Sequence, residues 1–306
     1  MKWDFNKQLE LFGPGGTIPW ISEADSWRYC RWVAVTHYEN FTVASSVLPR
    51  NLINHFHAIY AYCRWADDLG DETGGGLKSL SLLNWWRDLL CQCYAGKCSH
   101  PVFKCLRQTI TKFCIPTDPF HKLISAFEQD QHVKRYQNHQ QLLNYCDYSA
   151  NPVGRLVLHL FQCHSDETGI RSDQICTALQ ETNFWQDVSR DLQIGRIYLP
   201  EDERDQFGYS HEDLLSKRFT PSFANLMKYL VDRTRNRFYL GTSLLDYLPY
   251  RLKVDVDLFI RGGLKILEKI ESIGYNVLEN RPALTKWEKG MMASKSAGLI
   301  FSSLLK

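Results

Sequence analysis

The stretch "YCRWADDLGDE" (62–72) places four carboxylates within six positions of an otherwise aromatic and apolar segment: Asp67, Asp68, Asp71 and Glu72. In a helix, residues four apart lie on the same face, so Asp67 and Asp71 share a face. Like charges at this spacing destabilise a helix by about 0.2–0.5 kcal/mol per pair. A carboxylate pair in such surroundings has to be neutralised or has to bind a cation.

Outward from this stretch, apolar residues recur at steps of three and four along most of the chain, which predicts helices. The predicted helices cover 52–68, 80–96, 101–115, 120–133, 154–164, 174–194, 222–248, 256–275 and 285–305. Their breaks fall at Gly and Pro residues, and the short segment "RIYLP" (196–200) is better explained as a connection than as a strand. Because no repeat or Pro/Ser-rich linker interrupts the pattern, the sequence predicts one all-α domain over residues 1–306.

Composition and missing motifs exclude several classes of function. A formal net charge of +2 gives no electrostatic reason to expect a nucleic-acid partner. The sequence contains neither GxGxxG nor GxxxxGK[ST], so a dinucleotide-binding fold and a P-loop lose support. The ten cysteines include no CxxC pair and are expected to be reduced core residues of a cytoplasmic protein. Neither a signal segment nor an apolar run long enough to span a membrane is expected.

A second acidic pair lies in "NFWQDVSRDL" (183–192), where Asp187 and Asp191 are again four residues apart. Either pair alone is common on a solvated helix, but both lie in aromatic, apolar helices. Mg²⁺ suits such pairs because it binds one or two carboxylates and completes its octahedron with water and substrate phosphate oxygens. Basic and amide residues accompany the pairs: Arg64, Asn183, Gln186, Arg190 and Arg196. The hypothesis is a helical bundle whose two acidic faces hold several Mg²⁺ ions and clamp a diphosphate.

Five segments, in order along nearly the whole chain, resemble the squalene/phytoene synthases, the head-to-head branch of the trans-isoprenyl diphosphate synthases. They are "HYENFTVASSVLP" (37–49), "YAYCRWADDLGDE" (60–72), "SANPVGRL" (149–156), "NFWQDVSRDLQIGRIYLPEDE" (183–203) and "RGGLKILEKIESIGYNVL" (261–278). The resemblance implies an isoprenoid synthase helical bundle with a central apolar cavity. It also implies Mg²⁺ as the cofactor, held by four catalytic carboxylates: Asp67, Asp71, Asp187 and Asp191.

The substrate-binding candidates come partly from the resemblance and partly from position. Tyr60, Arg64 and Asn183 match family positions that hold substrate or diphosphate. The other candidates are His37, Gln186, Arg196 and Tyr198. For His37 and Tyr198 a purely structural role is the alternative, whereas Arg196, beside a glycine, is better placed to reach phosphate.

Three departures from the family pattern narrow the expected reaction. Gln186 stands where phytoene and dehydrosqualene synthases commonly have Arg, Asp147 replaces a pocket Tyr, and Gly263 replaces another. With these changes the chain looks most similar to the bacterial hydroxysqualene synthases. That branch implies a lyase that converts presqualene diphosphate and water to hydroxysqualene and diphosphate in hopanoid or sterol precursor synthesis, coupled to a presqualene diphosphate synthase.

Three other functions stay open at this point. A prenyltransferase that condenses two allylic diphosphates head-to-head is the enzymatic alternative. A non-catalytic assembly factor of the same superfamily is expected to have eroded aspartate pairs, and both pairs are intact here. A helical metal-dependent phosphohydrolase is compatible with the composition, but no paired histidines accompany the acids.

The C-terminal segment "AGLIFSSLLK" (297–306) is short and apolar. It is expected to be a packed terminal helix. The alternative is a peripheral contact with the inner face of the membrane, through which a water-insoluble product would be delivered.

Overall fold

The computed structural model describes residues 3–16, 21–36, 49–285 and 287–288, and within these ranges it contains helices and no β-strand. The helices are α1 (Phe5–Phe12), α2 (Glu23–Thr36), α3 (Arg50–Asp71), α4 (Gly76–Tyr94), α5 (Pro101–Phe113), α6 (Asp118–Gln129), α7 (His139–Ser149), α8 (Asn151–Leu160), α9 (Asp166–Gln193), α10 (Glu201–Gln206), α11 (His211–Leu215), α12 (Pro221–Gly241) and α13 (Tyr250–Ser272), with a 3₁₀ helix at Thr242–Asp246. The predicted all-α fold is confirmed.

The connection predicted at 196–200 is also observed. Ile197 forms an isolated parallel β-bridge with Arg135, and its amide donates to the carbonyl oxygen of Lys134 at 2.8 Å. This bridge attaches the segment after α9 to the segment before α7. The second acidic motif is therefore followed by an ordered connection.

Several predicted helix ends differ from the observed ones, and at Gly241 the difference coincides with close packing against α9. The predicted helix 222–248 ends as an α-helix at Gly241 and continues as the 3₁₀ helix. A Cβ at Gly241 would lie 2.5 Å from Cγ1 of Ile175 and 3.2 Å from the carbonyl oxygen of Arg171. The ends of α12 and the 3₁₀ helix therefore lie unusually close to α9.

The chain forms two compact units. The first contains the described residues up to His132 together with Arg155–His164, and the second contains Val133–Gly154 and the described residues from Ser165 onward. The chain passes from one unit to the other within α8. That residues 1–306 form a single domain with a central apolar cavity stays a prediction.

The core of the first unit is aromatic. The rings of Trp65 on α3 and Trp86 on α4 stack with centroids 5.2 Å apart and planes at 8°. His100 meets both rings edge-on and is completely buried, and this burial lowers its pKa to about 3. As the N-cap of α5, its Nδ1 accepts a hydrogen bond from the amide of Val102. The unit therefore packs α3 tightly against α4 and α5 through neutral side chains.

The core of the second unit packs α9 against α12. Trp185 is fully buried and its Nε1 donates to Oγ1 of Thr234 at 2.8 Å. Glu181, also fully buried, accepts hydrogen bonds from His139 at 2.8 Å and Thr234 at 3.1 Å, and forms an ion pair with Arg237 at 3.3 Å. A buried carboxylate needs such partners, since an unpaired one would be strongly destabilising. The network fixes the helix that carries the second acidic motif.

Two further sequence expectations concern cysteines and membranes. All ten cysteines are free thiols, and four of them are buried: Cys30, Cys93, Cys105 and Cys146. Across the described ranges, none of the helices is both long enough and apolar enough to cross a membrane. The predicted helix 285–305 lies outside the described residues except at positions 285, 287 and 288. The segment 297–306 and His37 also lie outside the described residues.

Candidate active site

The first acidic motif forms one face of α3. Tyr60, Arg64, Asp67 and Asp71 follow one another at steps of four, three and four residues, which places all four side chains on the same side of the helix. Each of them is partly or fully accessible, whereas Tyr62, Trp65, Ala66 and Leu69 are buried against the rest of the first unit. The structure thus brings four predicted site residues together on the accessible face.

Asp68, the neighbour of Asp67, has a different role. It is completely buried, accepts a hydrogen bond from Nε1 of Trp3 at 3.0 Å and forms an ion pair with Arg64. The same guanidinium lies 3.1 Å from the Asp67 carboxylate through Nη1. Asp68 therefore holds Arg64 at the base of the accessible face, an orienting function that sequence spacing alone did not reveal.

The carboxyl group of Asp67 lies in a negative environment. Burial raises its pKa to about 7; Arg64 opposes this rise, and Asp71, Asp68 and Asp130 add to it. Asp130 is the C-cap residue of α6, and helix periodicity does not predict its approach to Asp67. A carboxylate with this environment gains stability in its charged form when a cation is bound nearby.

The second acidic motif forms a corresponding face on α9. Asn183, Asp187 and Asp191 are spaced by four residues, and all three are exposed or half-buried, while Phe184, Trp185 and Val188 are buried. Gln186 points elsewhere: it is 7 % exposed and its amide donates to the carbonyl oxygen of Pro282. The predicted role of Gln186 in substrate binding stays a prediction, but its observed contact joins α9 to the segment after α13.

Arg281, in that same segment, pairs with the second motif. Its guanidinium donates to both carboxylate oxygens of Asp187, through Nε to Oδ1 and through Nη2 to Oδ2 at 2.9 Å. Arg190 is farther away, with Nε 3.8 Å from Asp187, and its side chain is mostly exposed. Sequence periodicity could not identify Arg281 because it follows the last described long helix.

Asp191 resembles Asp67 in its electrostatics. Burial and the charge of Asp187 raise the pKa of Asp191 to about 7, and the positive charges of Arg196 and Arg281 oppose this rise. Arg196, predicted to reach phosphate, thus lies close enough to Asp191 to influence its ionisation. The second face carries two carboxylates and two arginines.

An aromatic cluster borders the second face. The ring of Tyr198 stacks on Phe184 with centroids 4.0 Å apart and planes at 11°, and also stacks on Tyr136 at 5.7 Å and Tyr145 at 6.0 Å. Phe184 and Tyr198 line a small cavity together with Asp191 and Arg196. Tyr198 is therefore packed in the cluster and also borders the acidic face. Its predicted role in substrate binding stays a prediction.

The donor set of each face can be compared with what a metal ion requires. Within the described ranges, no three His, Cys, Asp or Glu side chains are grouped closely enough to hold a metal ion by themselves. Mg²⁺, however, commonly takes one or two carboxylates from a protein and the remaining oxygens from water and substrate phosphates. Each pair of aspartates therefore fits Mg²⁺ bound together with a diphosphate. Whether both faces bind the same diphosphate stays a prediction.

The sequence profile described as "Squalene/phytoene synthase" matches residues 34–288 of the chain. A phytoene synthase from Thermus thermophilus is 29% identical over 279 residues, which cover 91% of this chain and 94% of that protein. A phytoene synthase from Arthrospira platensis is 27% identical over 283 residues, covering 88% and 92%.

Two solved structures are similar in fold. The squalene synthase HpnC from Alicyclobacillus acidocaldarius superposes with a TM-score of 0.81 at 40% identity, covering 83% of this chain and 96% of that one. A dehydrosqualene synthase in complex with a ligand has a TM-score of 0.81 at 23% identity, covering 92% and 98%, and supports the fold alone.

Proposed function

Because the chain belongs to the squalene/phytoene synthase family, we propose that it is a hydroxysqualene synthase. The family comprises head-to-head isoprenoid synthases, which process isoprenoid diphosphates and typically depend on a divalent metal. The proposed reaction converts presqualene diphosphate and water to hydroxysqualene and diphosphate. The proposed cofactor is Mg²⁺.

The proposal that the protein acts on diphosphates rests on one observation: on each acidic face an aspartate is paired with an arginine. Arg64 contacts Asp67 on α3, and Arg281 contacts Asp187 on α9. Carboxylates alone would repel a diphosphate, whereas carboxylates that bind a cation next to an arginine provide the positive charge that it needs. The presence of both pairs also argues against a non-catalytic assembly factor.

The choice of hydroxysqualene as the product is supported by the 40% identity with squalene synthase HpnC and by two departures from the condensing enzymes. Gln186 bonds to the backbone of Pro282 instead of presenting a positive charge. Gly263 lies against Phe238, whose ring occupies the space that a side chain at position 263 would need. In this chain, Gln186 and Gly263 therefore both make contacts within the protein.

The mechanism begins with loss of diphosphate from the cyclopropylcarbinyl carbon. Mg²⁺, when bound by Asp67, Asp71, Asp187 and Asp191, would supply Lewis-acid neutralisation of the leaving charge. On its own acidic face, each of Arg64 and Arg281 would donate hydrogen bonds to the oxygens of a diphosphate bound there. The carbon–oxygen bond breaks heterolytically, and the electron pair leaves with diphosphate.

The resulting carbocation has to be protected until one water reaches it. In general an aromatic ring face stabilises a cation by about 0.5–2 kcal/mol, and an apolar lining excludes bulk water. After rearrangement of the cyclopropane, water attacks the cation and loses a proton, which the released diphosphate can accept. The product is the C30 alcohol.

The direct test is incubation of the purified protein with Mg²⁺ and presqualene diphosphate, followed by mass spectrometry of the organic extract. Hydroxysqualene that forms only with Mg²⁺ supports the proposal. Parallel incubations contain farnesyl diphosphate or geranylgeranyl diphosphate alone. Formation of presqualene or prephytoene diphosphate from these, without conversion of presqualene diphosphate, would overturn it.

A condensing prenyltransferase is the second candidate, and the phytoene synthases among the relatives favour it. Their identities of 27% and 29% extend over nearly the whole chain. The same incubations distinguish the two activities because a hydroxysqualene synthase converts presqualene diphosphate, whereas a condensing enzyme forms its product from farnesyl or geranylgeranyl diphosphate alone.

Two accessory expectations go with the proposed function. Presqualene diphosphate has to be supplied by a presqualene diphosphate synthase, so the two activities would be coupled. A peripheral membrane contact through 297–306 is testable by liposome flotation of the full chain and of a chain truncated before residue 297. Equal flotation of both would remove that segment from consideration.

A further inference from the structure

The start of α10 is joined through its backbone to the segment before α7. The parallel bridge between Ile197 and Arg135 begins this contact, and the amide of Glu201 extends it by donating to the carbonyl oxygen of Tyr136 at 3.0 Å. Arg204 lies three residues after Glu201, still within α10. Arg135 and Arg204 therefore belong to two segments that are in direct contact.

Arg204 is an almost completely buried arginine that no described residue neutralises directly. It is 4% exposed, and its Nε meets no hydrogen-bond acceptor within the described ranges. Burial lowers the pKa of its guanidinium; the charges of Glu201 and Asp205 oppose this change, and the charge of Arg135 adds to it. Glu201 and Asp205 thus act on Arg204 through their charge and without a hydrogen bond to it. A buried charge in this condition is unfavourable unless an ion from outside the chain pairs with it.

Two other arginines show how the chain neutralises such a group elsewhere. The Nε atoms of Arg64 and Arg233 are likewise buried without an acceptor. However, the outer nitrogens of Arg64 pair with Asp68, and those of Arg233 donate to both carboxylate oxygens of Glu203, at 3.1 Å for Nη2. The carboxylate that directly precedes Arg204 in the sequence is therefore already paired with another arginine.

Arg135 adds a second positive charge beside Arg204. Its side chain is exposed, and its charge acts unfavourably on that of Arg204. Planar guanidinium groups match the geometry of phosphate and carboxylate oxygens, and one tetrahedral anion can accept hydrogen bonds from two of them. Two positive charges favour a dianion over a singly charged carboxylate. The charges of Glu201 and Asp205 should keep the affinity modest.

We propose that Arg204 and Arg135 form a binding site for a phosphate-class oxyanion, separate from the two acidic faces. The anion pairs with the buried guanidinium of Arg204 and is held from the solvent side by Arg135. It thereby joins the segment before α7 to α10. Inorganic phosphate and the phosphate group of a small phosphomonoester share the chemistry that this site recognises.

The experiment measures thermal unfolding of the metal-free full chain in sodium phosphate, in glycerol 3-phosphate and in sodium chloride at equal ionic strength. Without a metal, the acidic faces have no cation through which to bind the anion. We expect phosphate to raise the Tm of the wild type above its value in chloride, and Arg204→Met to lose most of this rise. Titration calorimetry should give a phosphate Kd at least about tenfold higher in Arg204→Met, as for the loss of one charged hydrogen bond. The tighter binder of the two phosphates identifies the source of the ligand.

Two control variants separate loss of the site from loss of charge or stability. Arg235→Met removes a guanidinium that bonds to Asp232 at 2.6 Å and to Glu271 at 2.8 Å, and it should keep the phosphate-dependent rise in Tm. Arg233→Met breaks the buried pair with Glu203 and should lower the Tm in chloride. Arg204→Met should be at least as stable as the wild type in chloride, because it removes a buried charge that the chain leaves unpaired.

Three results would overturn the proposal. One is a phosphate-dependent rise in Tm that is equal in the wild type and in Arg204→Met, which would mean that phosphate binds elsewhere. Another is the lack of any rise above chloride in the wild type. The third is an Arg204→Met variant that fails to fold or is as destabilised in chloride as Arg233→Met, which would mean that the chain itself neutralises Arg204.

Discussion

Arg281 donates two hydrogen bonds to the carboxylate of Asp187, one to each oxygen, although 94 residues separate the two in the sequence. The adjacent pair, Gln186 and Pro282, is joined by a hydrogen bond from the glutamine amide to the proline carbonyl. Two consecutive residues of α9 therefore hold two consecutive residues of the segment after α13. The cation that neutralises the second acidic motif in this structure is thus an arginine positioned by the backbone beside it.

The Arg281→Gln variant should lose activity far more than stability. Both side chains of the pair are partly exposed, at 33% and 23%, so the ion pair should contribute no more than about 1 kcal/mol to the free energy of unfolding. A charged hydrogen bond to a substrate is worth about 1.5–3 kcal/mol, which predicts a loss of roughly 10- to 100-fold in kcat/KM. Steady-state kinetics with the diphosphate substrate and urea unfolding measure the two effects.

Arg235→Gln is the matched control, because Arg235 bonds to Glu271 at 2.8 Å in the same unit and belongs to neither acidic face. Equal loss of kcat/KM in both variants would mean that Arg281 acts through stability and has no direct role with diphosphate.

Removal of one aspartate should strongly reduce turnover while the helices remain. In Asp187→Ala we expect kcat to fall by roughly 10²–10³-fold, since a bound metal supplies several kcal/mol of charge stabilisation. The circular dichroism spectrum should be unchanged because Asp187 is half-buried on the accessible face of α9, where it pairs with Arg190 and Arg281. Asp246→Ala, at a carboxylate that is 79% exposed on the 3₁₀ helix, is the control and should retain wild-type turnover. Unimpaired turnover of Asp187→Ala would exclude it as a metal ligand.

Local spacing predicted the accessible faces correctly, because steps of three and four residues fix which side chains share a helix face whatever the tertiary packing. The same reasoning could not find Arg281 or Asp130, since their approach to the aspartates depends on packing between distant segments. Spacing also could not predict that Asp68 is buried while Asp67 and Asp71 are accessible. Asp68 accepts a hydrogen bond from Trp3, which lies 65 residues away in the sequence.

Helix prediction failed where the apolar pattern was weak. Helix α2 mixes charged residues with aromatic ones, and α7 is rich in Gln and Asn, so neither shows a clear apolar stripe. The short helices α10 and α11 depend on the turns that precede them. For α11, the side chain of Ser210 caps the helix by accepting a hydrogen bond from the amide of Asp213. Such local caps carry little periodic signal.

Gly263 and Gly262 should respond oppositely to the same substitution. A Cβ at Gly263 would lie 2.3 Å from the nearest carbon of the Phe238 ring, which is fully buried, whereas a Cβ at Gly262 would meet only Cδ1 of Leu284 at 3.9 Å. Overpacking a core costs about 1–3 kcal/mol, while replacing Gly by Ala inside a helix gains up to about 1 kcal/mol. We expect Gly263→Ala to lower the free energy of unfolding in urea and Gly262→Ala to leave it unchanged or raise it.

A substitution at Phe238 tests whether its ring is the reason that Gly263→Ala destabilises the protein. Phe238→Leu should be less harmful in the Gly263→Ala background than in the wild-type background, since the smaller side chain vacates the space that Cβ needs. Additive effects of the two substitutions would show that the ring does not set the limit at position 263.

The free energy of unfolding should fall as pH rises from about 4 to 7 because of Asp255 on α13. This carboxyl group is 2% exposed, its Oδ1 has no hydrogen-bond partner within the described residues, and burial raises its pKa to about 7. The unfolded chain has a carboxyl pKa of about 3.9, so between these values the folded state binds more protons than the unfolded state. The free energy of unfolding therefore decreases from about pH 4 to pH 7 and levels off above it, by an amount on the order of a few kcal/mol.

Asp255→Asn cannot ionise and should escape this loss, so its stability relative to wild type should grow between pH 5 and pH 8 in urea unfolding experiments. Leu252→Ala, a buried substitution without a titrating group on the same helix, should differ from wild type by a constant amount at both pH values. A difference in free energy of unfolding between Asp255→Asn and wild type that is the same at pH 5 and pH 8, as expected for Leu252→Ala, would contradict this prediction. That result would mean that the Asp255 carboxyl is solvated or paired in the folded protein. Burial also raises the pKa of Asp67 and of Asp191 to about 7, so all three carboxyl groups should be protonated at pH 5. A carbonyl stretching band of protonated carboxylic acid that is weaker in Asp255→Asn than in wild type at pH 5 would provide the complementary spectroscopic assignment.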